Sequence, residues 1–286
     1  DARQIHEGKS NLVEDITFEK RCEAYSISEP EAFCHTSCVT TQKMNHLAIE
    51  THCYLADYCN DELTIWTPTQ GIFGVRTVVA DMLSIPYNRV RVIKTPMGGS
   101  FGGKQEFIYE PLVAFVAKKL RRPVKLHLSR RESIIGTIGR SYIKTSITTS
   151  FTGKGELLSC SVDSLFDGGA YIGSSLDQLH AMKGKIPRLY RMPVYKHRGR
   201  LAYTNTPIAG GMRGWGSPEM MTVLEIHMAL AARKMKMDSY DLHMKNLLYP
   251  EDIDMCCGLS IGNGRVRDCL EMGASEFKWK ERSAMD

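Results

Sequence analysis

The chain contains no run of eighteen apolar residues, which points away from membrane spanning and from a secretory leader. It has no low-complexity tract either, and its 43% hydrophobic and 24% charged residues are ordinary for a globular protein. Nor do its cysteines form a framework. Cys34-x3-Cys38 and the adjacent Cys256-Cys257 have no matching second half, and the total of nine is odd. That excludes a disulfide scaffold and a zinc ribbon as the organising device and favours a reduced, cytoplasmic compartment. Charge of one sign is not massed anywhere: the net value is +5, and the basic stretches Arg121-Arg122, Arg130-Arg131 and Arg188 to Arg200 lack the interleaved aromatics of a stacking platform. Nucleic acid is therefore not an expected partner. The chain opens at Asp1 rather than Met, as a processed or partial product would.

Glycine, by contrast, is concentrated. Met97-Gly98-Gly99-Ser100-Phe101-Gly102-Gly103-Lys104-Gln105 follows the strand-like Val90–Ile93 and leads toward an apolar helix, Leu112 to Leu120. Four glycines in six residues let the backbone turn sharply and bring its N–H groups against a bound group, and a helix N-terminus behind them favours an anion. Gly98, Gly103 and Lys104 satisfy the G-x-x-x-x-G-K pattern of a nucleotide-binding loop. Position 105 is Gln, which supplies no hydroxyl for magnesium, so that reading is disfavoured beside a cofactor loop or a plain structural turn. A second stretch, Gly210-Gly211-Met212-Arg213-Gly214-Trp215-Gly216, runs into a helix with Ser217 as candidate cap, Pro218 in the first turn and Met220, Leu224, Met228 and Ala231 on one face. Two such loops could converge on one ligand from opposite sides.

The remaining pattern predicts strands at Thr36–Leu47, His52–Tyr58, Glu62–Trp66, Val124–Leu128, Tyr142–Phe151, Leu157–Phe166 and Val194–Tyr203. It predicts a helix from Gln70 to Leu83, a hairpin turn at Thr152–Gly155, a last helix capped by Asp238, and a polar surface segment before Ser28. The expected fold is α+β, with mixed sheets and helices in two lobes, residues 1–150 carrying the first glycine loop and 151–286 the second. Within it Gln70 offers an amide that does not titrate, though a polar residue opening a helix reads the same way. Phe101, flanked by glycines, either walls a pocket or anchors a core. Arg213 can fork onto an oxyanion or lie on the surface.

In combination these segments resemble the molybdenum hydroxylases, the family of xanthine dehydrogenase and aldehyde oxidase. Thr69-Gln70, MGGSFGGK at 97–104, Asp167-Gly168-Gly169-Ala170-Tyr171, Thr204-Asn205 and Met212–Pro218 occur in that family's order and approximate spacing, and His46 through Glu50-Thr51 is similar to its H-x-x-x-E segment. The resemblance implies a molybdenum-binding subunit, or its first molybdopterin-binding lobe. Such a subunit serves an oxidoreductase that hydroxylates an aza-aromatic heterocycle or an aldehyde with water-derived oxygen and passes two electrons to iron–sulfur clusters and FAD on partner domains or subunits. It implies that Gln70 contacts an oxo ligand, that Gly99, Phe101 and Gly102 bring the loop backbone to the molybdopterin, whether plain or as the cytosine dinucleotide, and that Arg213 lies beside the metal. Phe101, Gln105, Ala181 and Trp215 would line the substrate pocket, Trp215 standing where the family usually stacks a Phe on a flat substrate. Counted without gaps, Gln105 and Ala181 stand where xanthine-type members carry Glu and Arg, which moves the expected substrate away from xanthine, whereas a slipped alignment would put Glu106 and Lys183 in those places; Glu219 replaces a common Gln. The glutamate that acts as general base belongs to the family's C-terminal half, so no catalytic residue is assigned here, and a second molybdopterin-binding lobe, an iron–sulfur subunit and a FAD subunit are the implied partners. A non-catalytic scaffold that only docks such partners is the alternative.

Overall fold

A computed structural model describes residues 3–283. Two sheets organise it, with strands and helices numbered in chain order. The larger runs β1 (Leu12–Arg21), β9 (Val194–Tyr203), β8 (Leu157–Gly169), β7 (Ile143–Phe151) and β2 (Phe33–Thr41); the smaller runs β5 (Val90–Lys94), β4 (Glu62–Thr67), β3 (Cys53–Cys59) and β6 (Val124–His127). Helices α1 (Ile72–Leu83) and α2 (Glu110–Leu120) bury Val75, Val79, Val113, Ala114 and Ala117 against Ala56, Leu63 and Ile65 of the smaller sheet. The long helix α5 (Ser217–Lys234) buries Met220, Leu224, Met228 and Ala231 with Ile147, Phe151 and Phe166 of the larger one, as its apolar spacing predicts. These mixed sheets and helices are the α+β architecture expected.

Local chemistry explains the element ends. Asn60 and Asp61 both adopt positive φ, the geometry of a tight hairpin between β3 and β4. Asp238 accepts from the N–H groups of Tyr240 and Asp241 and so caps α6 (Ser239–Asn246). The cap expected at Ser217 is instead Gly216, with φ +86°; Ser217 is already inside the helix, because the second glycine loop needs the left-handed turn immediately before it. The polar surface segment before Ser28 contains β1, an edge strand paired with β9. Residue 150, the expected boundary, lies in β7, which pairs with β2 on one side and β8 on the other.

Both sheets are mostly antiparallel, and each contains one parallel pair: β4 with β5, and β8 with β9. Gln70 follows β4 and the first glycine loop follows β5. Helix α4 (Ser175–Met182) follows β8, and the second glycine loop follows β9. Each parallel pair thus delivers its two outgoing segments at its carboxyl end, the place where open sheets gather ligand-binding loops.

Candidate functional site

The two carboxyl ends meet. The Arg213 N–H donates to Phe101 O at 2.9 Å, and a Cβ placed on Gly102 would lie 2.1 Å from Gly211 O. Only glycine allows that approach, and Gly102 also holds φ +103°. Phe101 and Trp215, one on each loop, both sit at positive φ (+55° and +48°), a strained conformation for large side chains. Both strained residues lie where the two loops touch.

Gln70 is fixed at both ends of its residue. Its backbone N–H donates to Lys104 O at 2.9 Å, and its side-chain oxygen accepts from the Gly102 N–H at 3.2 Å and from the Ser100 hydroxyl. The side-chain NH2 is left exposed and makes no hydrogen bond among the described residues, as do the N–H groups of Ser100 and Phe101. Beside them the Arg213 side chain is exposed. The site therefore presents donors and a cation, the set that receives an anionic oxygen.

The segment from His46 to His52 braces this arrangement. The His46 ring Nε2 donates to Gly211 O at 3.0 Å, Glu50 accepts from the Gly98 N–H at 2.8 Å, and His52 links Gly103 O at 3.0 Å to the Ser133 hydroxyl at 2.9 Å. Burial lowers the pKa of both histidines, keeping them neutral, so His52 Nε2 donates to the carbonyl while Nδ1 accepts from Ser133. On the other side the Ser174 hydroxyl accepts from the Gly211 N–H at 3.1 Å, and the Ser174 N–H donates to Glu106 at 2.7 Å.

Comparison with known proteins shows which family the chain belongs to. Residues 5–247 match the family model described as molybdopterin cofactor-binding domain. The chain belongs to that family. This molybdopterin cofactor-binding domain is 32% identical over 286 residues to the xanthine dehydrogenase molybdenum-binding subunit of Escherichia coli O157:H7, covering 99% of the chain but 38% of the relative. It is 29% identical over 208 residues to the nicotinate dehydrogenase large molybdopterin subunit of Eubacterium barkeri, which spans 72% of the chain and 49% of that protein. In fold it matches the aldehyde oxidoreductase of Desulfovibrio gigas with a TM-score of 0.88 at 24% identity, over all of this chain and 31% of that one. The resemblance to the molybdenum hydroxylases is thereby borne out, and the domain spans well under half the length of the E. coli relative.

Of the residues singled out in the sequence, Gln70, Phe101, Gly102, Arg213 and Trp215 come together, Trp215 with its ring packed over Gly211. Gly99 lies on the same loop at φ +103°, against Ala48. Gln105 closes the loop by donating its N–H to Gly102 O at 3.1 Å. Ala181 is half-buried in α4, whose Met182 and Gln178 are the side chains nearest Gly216. Ser174, Arg140 and the His46 contact with Gly211 carry no local signature, because each acts across more than 35 residues; the Ser129–Glu132 capping box that opens α3 (Arg130–Gly136) is the one legible signal nearby.

Lys104 settles the nucleotide-loop reading against itself. Its side chain is buried and its ammonium is paired with Glu50, so it does not project into the loop where a phosphate would lie. Lys104→Met, close in volume, is expected to cost about 1–2 kcal/mol in urea denaturation, since Glu50 is partly exposed and keeps the Gly98 N–H. Nucleotide binding that disappeared with this substitution would contradict the assignment.

Proposed function

We propose that this domain holds the molybdopterin of a molybdenum-dependent hydroxylase acting on an aza-aromatic heterocycle or an aldehyde, with iron–sulfur and FAD partners taking the electrons. The observation that carries the reading is Gln70: its oxygen is taken by Gly102 and Ser100, which leaves its NH2 free at the loop whose Phe101 carbonyl meets the Arg213 N–H. Among the described residues no three His, Cys, Asp or Glu side chains could hold a metal ion, so the donor set suits a metal that arrives with its own organic ligand. When bound, that cofactor supplies the redox chemistry. The chain's own residues position it: the Gln70 NH2 and the N–H groups of Ser100 and Phe101 donate to anionic oxygens, and the Arg213 guanidinium balances their charge. Phe101 and Trp215 offer flat apolar walls for a planar substrate, and Gln105 and Ala181 lack the charges that xanthine-type members carry at those positions, which favours another aza-aromatic heterocycle or an aldehyde. Relatives named for nicotinate and for aldehyde oxidation stand in the same family as those named for xanthine. Nine unpaired cysteines support a cytoplasmic location.

The test is elemental analysis of the full-length protein purified with its partners, alongside mass spectrometry of every co-purifying chain. Molybdenum near one atom per chain, with iron, is the expected result; an intact assembly free of molybdenum would replace the reading with a docking scaffold. Gln70→Leu is expected to lower molybdenum retention or turnover about tenfold and folding stability by about 1 kcal/mol, because the Gly102 N–H and the Ser100 hydroxyl lose their acceptor at an exposed position.

A further inference from the structure

Arg140 lies outside the glycine loops, in the connection between α3 and β7, yet it reaches the second loop. Its Nη2 donates to the carbonyl of Arg213 at 3.1 Å. The peptide of Arg213 is therefore held from both sides, its own N–H by Phe101 O and its C=O by Arg140. The backbone of Arg140 is itself pinned: its N–H donates to Met44 O at 2.8 Å, and the neighbouring Gly139 carbonyl accepts from the Gly210 N–H at 3.0 Å.

A guanidinium at this depth needs a counter-charge, since Arg140 is only 8% exposed. Glu219, 2% exposed, provides it at 2.7 Å from Nη1. The two approach without hydrogen-bond alignment, so the link is chiefly Coulombic. Glu219 sits in the first turn of α5, where the helix dipole favours a carboxylate, and its other oxygen accepts from Gln178 of α4 at 3.3 Å. The pair thus ties α4, α5 and the 139–140 connection beneath the turn that carries Arg213 and Trp215.

We infer that Arg140 and Glu219 are positioning residues, a buried latch that sets the Arg213–Trp215 turn against the first glycine loop. Its consequence for cofactor binding rests on the molybdenum reading above; its geometry does not. Arg140 fixes the Arg213 backbone, which leaves the Arg213 side chain free for a ligand. Glu219 keeps Arg140 charged and in place. The strained φ of Trp215 persists because the turn is held at this point.

The decisive variant is Arg140→Lys, which keeps a positive charge near Glu219 but has no second nitrogen to reach Arg213 O. It is made in the full-length protein with its partners. Three readouts are taken: thermal midpoint, hydrogen–deuterium exchange of the peptide 210–218 resolved by mass spectrometry, and molybdenum per chain. Exchange in that peptide should rise and molybdenum should fall about tenfold, the usual scale for a supporting partner of a metal site, by more than any shift in midpoint explains. Glu219→Gln, which keeps shape and the Gln178 contact, should move the same readouts in the same direction; it carries the test if the lysine variant does not fold. Unchanged exchange and molybdenum in a folded variant would overturn the latch, as would losses that merely track the midpoint. If the unsubstituted protein holds no molybdenum, the functional reading fails while exchange of the 210–218 peptide still decides the latch.

Discussion

Gly102→Ala is expected to cost about 3 kcal/mol of folding stability, roughly a hundredfold in the folding equilibrium, by combining backbone strain with overpacking. Both terms come from the same atom. The residue's φ of +103° is one that L side chains rarely adopt, and the added methyl would meet Gly211 O at 2.1 Å and the Gly211 carbonyl carbon at 2.8 Å. Neither neighbour is a flexible side-chain tip. The Gly211 carbonyl is held by His46, and its N–H by Ser174, so the loop cannot slide aside without giving up those bonds. The loops must separate, breaking the Arg213 N–H to Phe101 O bond and scattering the group that includes Gln70. Molybdenum retention by the full-length protein should then fall with stability, by more than for Gln70→Leu. Urea denaturation measures the first effect and elemental analysis the second. Gly273→Ala, in the helix Val266–Glu276 with nothing within 4 Å of the new methyl, is the control and should be slightly stabilising. Equal behaviour of the two alanine variants would mean that the loops do not touch in solution.

What the sequence disclosed follows from how far each signal reaches. Local punctuation was reliable: Asn60-Asp61, Thr152 to Gly155 and Asp238 each set an element end where the structure has one. Val194–Tyr203 alternates between buried and less buried positions and is β9 at both ends. Strand β1 escaped notice because an edge strand has one unpaired side and little buried surface, and charged residues there protect the edge as well as they would decorate a loop. Helices α3 and α4 are too short to show a full amphipathic period, so only the capping box of α3 could have betrayed either. The site was half legible. Glycine runs announced that two loops approach something, and the family pattern singled out Gln70, Phe101 and Arg213. The parallel pairing that aims both loops at one place was not readable, since it depends on which strands are neighbours. Nor was the first loop a helix N-terminus: residues 105–109 separate it from α2, so its donors are free loop amides rather than the end of a helix.

Acid should weaken the same junction through two histidines far from it in sequence. His197 on β9 hydrogen-bonds Ser164 at 2.7 Å, and His227 on α5 sits between Ser37 at 2.7 Å and Thr149 at 2.8 Å. Burial pushes both down to about 4, and for His227 the stacked His35 and nearby Lys234 add to the shift. In the unfolded chain each titrates near 6.5, so between pH 6.5 and 4 the unfolded state binds more protons and stability falls as pH falls. The loss is about 2 kcal/mol for each histidine by pH 5. The lowered carboxylates Glu50, Asp252 and Asp254 do not interfere, since their contribution is lost only at lower pH, through their own depressed values. His243, raised by its contact with Glu225, acts oppositely: its stabilisation is present in acid and fades as pH rises through its folded value. His35, His46 and His52, also lowered by burial, add to the slope in the same direction. Urea midpoints at pH 7, 6 and 5 should therefore fall steeply, and His227→Gln should reduce the loss by about 2 kcal/mol at pH 5. A flat profile would show that these histidines are not buried and neutral. Because β9 ends at the second glycine loop and α5 begins there, the acid transition should release Trp215 together with the core, in one step rather than as a separate loosening of the loops.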